Sequence, residues 1–186
     1  MAGIYSDVRK AIRRAAIGSL LDFFPDTATQ DKYIVFSNSN GTEPTDSYVV
    51  INILNIEQQG HHSTSSLATE DDELVFQVAY EIMCQFSFIG SLSGDMAQVL
   101  TQNINNNPLA RQELQKQKLG LMRKSQIRRE PQKRDTKWVE YHNMDVTFNY
   151  IIITNQIIDV VEGVVIEENL DETPSLIKLP ESIIYT

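Results

Sequence analysis

The sequence predicts an α+β chain in which helices and strands come in separate runs and a long pair of strands closes the pattern. Three observations carry this. Apolar residues at helical spacing open the chain. Glu73 to Ile89 then alternates apolar and polar residues with few breaks. Two strand-like runs, Trp138 to Thr154 and Gln156 to Glu167, follow a strongly basic segment.

Ser6 to Phe24 reads as an amphipathic helix. Val8, Ile12, Ala15, Ala16, Leu20 and Phe23 recur at its spacing, Ser6 or Asp7 can cap it, and Pro25 can stop it. Lys32 to Ser37 is a short strand rich in Tyr, Ile, Val and Phe. The polar loop Asn38 to Ser47 leads to a second strand, Tyr48 to Ile56, which is apolar on both faces and so reads as at least partly covered on both. Glu57 to Asp72 has the polar composition of a mobile surface loop. In Glu73 to Ile89 one face collects Phe76, Val78, Tyr80, Ile82, Cys84, Phe86 and Phe88.

Ser93 or Asp95 can cap the next helix, which runs to about Asn105 with the stripe Met96, Val99, Leu100 and Ile104. Asn107 before Pro108 has the form of an N-cap with proline at the first helical position, starting a short helix to about Lys118 that Gly120 ends. A strand, Leu121 to Arg129, and a turn around Pro131 lead into the long pair. Trp138 to Thr154, seventeen residues, would span about 55 Å, whereas a globule of this length is about 40 Å across. Such a strand bends, breaks or projects. A projecting strand needs cover, which a partner subunit can supply; a bulged strand curling within one domain is the alternative.

Charge is segregated. Arg111 to Lys137 holds ten Lys/Arg against three acids, +7 in a chain of −9, so the remainder carries −16. One reading is a subunit interface: Arg123, Lys124, Arg128, Arg129, Lys133 and Arg134 on one copy would face Glu162, Glu167, Glu168, Asp171 and Glu172 on another. A second is non-specific phosphate contact with nucleic acid, although the segment has almost no interleaved aromatic residues, Trp138 lying at its edge. A solvated face is the third.

Nothing in the chain asks for catalysis, and no cofactor or metal ligand set is expected. His61-His62 and Asp71-Asp72-Glu73 read as solvated loop and turn residues, His142 has no nucleophile near it in sequence, and Cys84 shares a face with Ile82 and Phe86 like a small core residue. Nucleotide-binding glycine loops, zinc-protease and serine-hydrolase motifs do not occur. One cysteine excludes an intrachain disulfide, and neither an apolar leader nor a membrane-length apolar run is present.

The order of elements resembles the tail terminator and neck terminator proteins of tailed bacteriophages. The likeness rests on the opening helix, on Tyr48-Val49-Val50-Ile51-Asn52-Ile53, and on the Glu73–Ile89 strand running into Ser93-Gly94-Asp95-Met96-Ala97. It continues in Lys137-Trp138-Val139-Glu140-Tyr141-His142-Asn143-Met144-Asp145-Val146-Thr147-Phe148-Asn149-Tyr150, and covers about residues 4–167. It implies a mixed, largely antiparallel β-sheet packed against helices in a single domain, 1–168, followed by an acidic C-terminal arm, 169–186, outside the pattern. It also implies a homo-oligomeric ring, usually a hexamer, in the virion at the head–tail junction. Such a ring caps the tail tube, joins it to neck or head proteins, lets genome DNA pass through its lumen, and is neither an enzyme nor a membrane protein. A head-completion or portal-adaptor protein of the same neck and a non-specific DNA-binding protein are the alternatives.

Overall fold

The computed structural model describes residues 4–39, 41–65 and 73–157. In chain order these form α1 (Ile4–Ser19), α2 (Thr27–Tyr33), β1 (Ile34–Phe36), β2 (Tyr48–Ser65), β3 (Glu73–Ile89), α3 (Ser93–Asn106) and α4 (Pro108–Lys116). Five further strands follow: β4 (Leu119–Lys124), β5 (Arg128–Arg129), β6 (Gln132–Arg134), β7 (Lys137–Val139) and β8 (Tyr141–Ile157). One mixed sheet runs β1-β2-β3-β8-β4, with β5 paired to β8 further along the same edge; β6 and β7 form a separate hairpin. Only β1–β2 is parallel among the described pairs. The α+β class and the largely antiparallel sheet are as expected.

The core lies between one face of the sheet and α1, α3 and α4. Val49 and Ile51 of β2, Ile82, Cys84, Phe86 and Phe88 of β3, and Met144, Val146 and Phe148 of β8 are buried in one cluster. The helices close it with Val8, Ala11, Ile12, Ala15 and Ala16, with Met96, Ala97, Leu100 and Ile104, and with Leu114. Alternation along β3 is therefore a burial pattern, and Cys84 sits in it as a core residue whose thiol pKa is pushed up by burial. The other face is polar over most of its length. At one end Tyr48, Ile89 and Tyr141 form a small second cluster with Tyr33, Val35, Val50 and Val139. That cluster covers the back of β2 at Val50 but not at Leu54, which is 47 % exposed.

Several boundaries differ from the sequence expectation, each for a local reason. Helix α1 stops at Ser19, five residues before Phe24: Ser19 Oγ turns back to the Ala15 carbonyl (2.8 Å), and the next residues close turns from Phe23 and Phe24 to the Leu20 carbonyl (3.0 Å each). Leu20 and Phe24 still reach the core from that turn. Helix α2 takes up Lys32 and Tyr33, leaving a three-residue β1; Asp26 caps it, accepting from Thr29 N at 2.9 Å. Neither Ser93 nor Asp95 caps α3, since Leu92 holds that position without a side-chain bond. Asn107 does cap α4, accepting from Leu109 N at 2.9 Å, with Pro108 at the first turn. That helix ends through Lys118 (φ +56°), while Gly120 lies within β4.

The largest correction concerns 57–65 of the expected loop 57–72; residues 66–72 lie outside the described residues. Residues Glu57–Ser65 are strand, continuing β2 alongside β3. Extra residues are accommodated by register shifts between Ile53 and Asn55 and between Gln59 and Ser63, the second containing Gly60 at φ +68°. The expected strand from Leu121 to Arg129 is likewise divided, into β4 and β5. At the other end, β8 runs unbroken through Asn155, which pairs with Val75, to Ile157, which pairs with Glu73. The two expected C-terminal runs are thus one strand from Tyr141 to Ile157, while Trp138 and Val139, expected at its start, belong to β7 of the separate hairpin. The rest of the second run, the 168/169 boundary and the acidic arm lie outside the described residues.

Gly90 joins β3 to α3 at φ +106°, and a β-carbon there would lie 2.6 Å from Ser47 Oγ and 2.8 Å from Ser47 Cα. Both the dihedral and the space demand glycine. Gly90→Ala is expected to destabilise the fold by about 2 kcal/mol or more, read as a lower midpoint in urea unfolding; an unchanged midpoint would show that the turn relaxes freely.

Candidate assembly interface

The basic segment forms the free edge of the sheet. β4 and β5 both pair with β8, and between them Ser125 keeps the chain on that edge, its N donating to the Asp145 carbonyl (2.8 Å) and its Oγ accepting from Asp145 N (2.9 Å). Lys and Arg on an outer strand are how sheets discourage uncontrolled pairing. Arg123, Lys124, Arg128, Arg129, Lys133 and Arg134 are all exposed; the first four lie along this edge, whereas Lys133 and Arg134 belong to the separate β6–β7 hairpin.

Most of their charge is already engaged within the subunit. Arg123 pairs with Glu81 at 3.2 Å and donates to Thr147 Oγ1 at 3.1 Å. Lys124 donates to the Thr101 carbonyl at 2.6 Å. Arg128 pairs with Asp145 at 2.8 Å and Glu130 at 3.4 Å, the Asp145 hydrogen bond holding its guanidinium pKa above the ordinary value. Arg129 grips Glu140 with two bonds, 2.8 and 2.6 Å. This bidentate contact raises the arginine and holds the Glu140 carboxyl below its usual range. Arg134 bonds Glu43 and the Tyr141 hydroxyl and lies over the Tyr141 ring, its guanidinium carbon 5.2 Å from the centroid, which ties the β6–β7 hairpin to the body.

The hairpin keeps what the rim lacks. Lys133 and Lys137 form no ion pair among the described residues. Trp138, opposite Lys133 in the register, is 70 % exposed. The acidic half of the expected interface, Glu162, Glu167, Glu168, Asp171 and Glu172, lies outside the described residues.

Sequence reading missed the carboxylates that neutralise the rim: Glu81, Asp145, Glu140 and Glu43. Glu81 and Asp145 could be recognised as polar-face positions of β3 and β8, but which arginine each meets follows only from register. It also missed a partner for His142, whose Nδ1 lies 2.9 Å from Ser93 Oγ. Ser93 is fully buried, so this pair cannot present a nucleophile to a substrate; it ties β8 to the start of α3, where Gly94 leaves room for the ring. The backbone of His61 and His62 belongs to β2 and Asp71-Asp72 lies outside the described residues. No group of three or more metal-ligating side chains occurs among the described residues.

A family model described as phage neck terminator protein matches residues 6–172 of the chain. No curated protein matches it.

The Arg129–Glu140 contact makes a titration prediction. A carboxyl held low in the folded state contributes stability above its unfolded pKa and loses it as pH falls through the folded one. Arg129→Ala is expected to return the Glu140 pKa upward to the ordinary carboxylate range, followed by NMR titration of its side-chain carboxyl. It should also shrink the stability difference between neutral and acid pH. An unmoved Glu140 would mean that the contact is not populated in solution.

Proposed function

This chain belongs to the phage neck terminator protein family, and from that premise we propose that copies of it close into a ring at the head–tail junction and cap the tail tube. The family makes the role a structural one in the phage neck and the location the virion; no described helix is long and apolar enough to cross a membrane. The ring, which we take to be a hexamer, joins the tube to head-completion or portal-adaptor proteins. Genome DNA passes its lumen without specific contact. The subunit needs no cofactor and catalyses nothing.

The observation that carries this reading is a three-stranded blade. β2, β3 and β8 stay paired over 18, 17 and 17 residues, about 55 Å. Yet among the described side chains the fully buried positions of β3 begin at Ile82 and those of β8 end at Phe148. Beyond that point Ile151 and Ile153 are 39 % and 45 % exposed. Past Ile51 on β2 and past Tyr150 on β8, the outer edges pair with no described strand. Open edges and exposed isoleucines on a long ribbon are stabilised by a neighbour that adds strands or covers the face. A head-to-tail ring supplies such cover once per subunit.

We assign a second contact to the basic edge, led by its hairpin. The arginines there hold their own subunit's acids, so Lys133, Lys137 and Trp138 provide the unspent charge and apolar area. This saturation also weighs against the nucleic-acid alternative, because a paired guanidinium has few counterions to release.

Light scattering behind size exclusion, followed by negative-stain imaging, is expected to show rings with a central hole of at least duplex width, alone or on added tail tubes. Ile151→Glu with Ile153→Glu should abolish them while leaving the monomer's circular dichroism unchanged, and Lys133→Glu with Lys137→Glu should weaken them in a salt-dependent way. A chain that stays monomeric even with tubes would sink the reading. Stoichiometric DNA binding that falls steeply with salt would favour the DNA-binding alternative, and co-sedimentation with portal in place of tube the adaptor.

A further inference from the structure

We propose that the cleft between α1 and the edge strand β1 is the docking site for the acidic segment Asp159 to Glu172 of this same polypeptide. The inference rests on charge and shape and does not depend on ring formation.

The cleft has a volume of about 470 Å³, and its walls include Arg9, Lys10, Arg13 and Arg14 with the rings of Tyr5 and Phe36. Two of these cations are committed. Arg13 pairs with Asp31 at 2.6 Å and donates to the Ile34 carbonyl of β1 at 3.1 Å; Arg14 reaches Glu113 at 3.5 Å. Arg9 and Lys10 form no ion pair among the described residues. Arg9 instead lies over Phe36, with its guanidinium carbon 4.1 Å from the ring centroid, and faces Tyr5 at 5.5 Å. Two unspent positive charges flanked by two aromatic rings form a receptor for carboxylates interspersed with aliphatic side chains.

The segment from 159 to 172 has that composition. It carries six acids, Asp159, Glu162, Glu167, Glu168, Asp171 and Glu172, and no Lys or Arg, with valines, an isoleucine and a leucine between them. The basic rim is the other positive surface, but its guanidinium groups already hold carboxylates, and displacing those would gain little. On the cleft side β1 pairs with no described strand, so backbone as well as side chains can meet an incoming segment. Fifteen residues beyond Ile157 span up to about 50 Å when extended. That is comparable with the length of β8, so the segment can return along its own subunit or cross to a second copy.

A photo-crosslinking residue placed at Val165 of the full chain tests this. Irradiation followed by peptide mapping is expected to give crosslinks to residues 5–14 or to Phe36. Arg9→Glu with Lys10→Glu should lower their yield about fivefold, two exposed ion pairs being lost. Adding Glu167→Lys and Glu168→Lys to that background should restore it. Lys10→Gln alone, an exposed change that the helix tolerates, should lower it about twofold. Mixing isotopically heavy and light copies is expected to give crosslinks within one chain; crosslinks only between chains would overturn docking on the same polypeptide. Crosslinks to residues 119–139, or a yield indifferent to Arg9 and Lys10, would overturn it.

Discussion

Strand β3 is hydrogen-bonded on both sides for nearly its whole length, to β2 and to β8, and the rest of the molecule is arranged around that double ladder. Its pairing with β8 is unbroken from Glu73–Ile157 to Ile89–Tyr141. Because side chains alternate, a slip of one residue would send Ile82, Cys84, Phe86 and Phe88 to the polar face and Met83, Gln85 and Ser87 into the core. The helices therefore enforce the register, and the register places every residue of the far half. Irregularity is confined to the flanking strands. β2 absorbs extra residues near Leu54 and Gly60, and β4 one near Met122, while the central pair stays regular.

The same register organises the electrostatics. Glu81 and Asp145 point away from the core on the polar face, where Arg123 and Arg128 from the outer edge meet them. Glu130 reaches across to the Asn143 amide, which donates at 2.8 Å. A segment of net +7 thus becomes a locally compensated border. Each exposed pair contributes little alone, but together they hold β4, β5 and the hairpin in place and leave Arg9 and Lys10 of α1 and Lys133 and Lys137 of the hairpin without an ion pair among the described residues.

Legibility in the sequence followed how strictly local chemistry constrained each element. β3 could be read because period two persists through seventeen residues, and α4 because Asn107-Pro108 supplies both a cap and a fixed φ. Helix α2 could not: it buries no residue, so it has no apolar stripe to see. The second half of β2 was hidden by composition, since Gln-Gln-Gly-His-His-Ser favours turns in isolation and becomes strand only because β3 offers a ladder beside it. For the interface, the basic residues were legible as a block. Their partners were not, because Arg129 finds Glu140 through a hairpin and Arg123 finds Glu81 through two strand registers.

A blade bonded along its length and rooted in a packed core is mechanically a lever. Sliding of β8 against β3 is opposed by every rung between them, so a push at the Ile157 end is not absorbed locally. It travels to the root, where His142 is tied to Ser93 of α3, and where Gly90, whose N donates to the Glu140 carbonyl at 3.0 Å, sits wedged against Ser47. Those few contacts form the fulcrum. Whatever load the tip meets is converted there into torque on the helical layer, so the two ends of the described blade are coupled in stiffness although no described helix joins them.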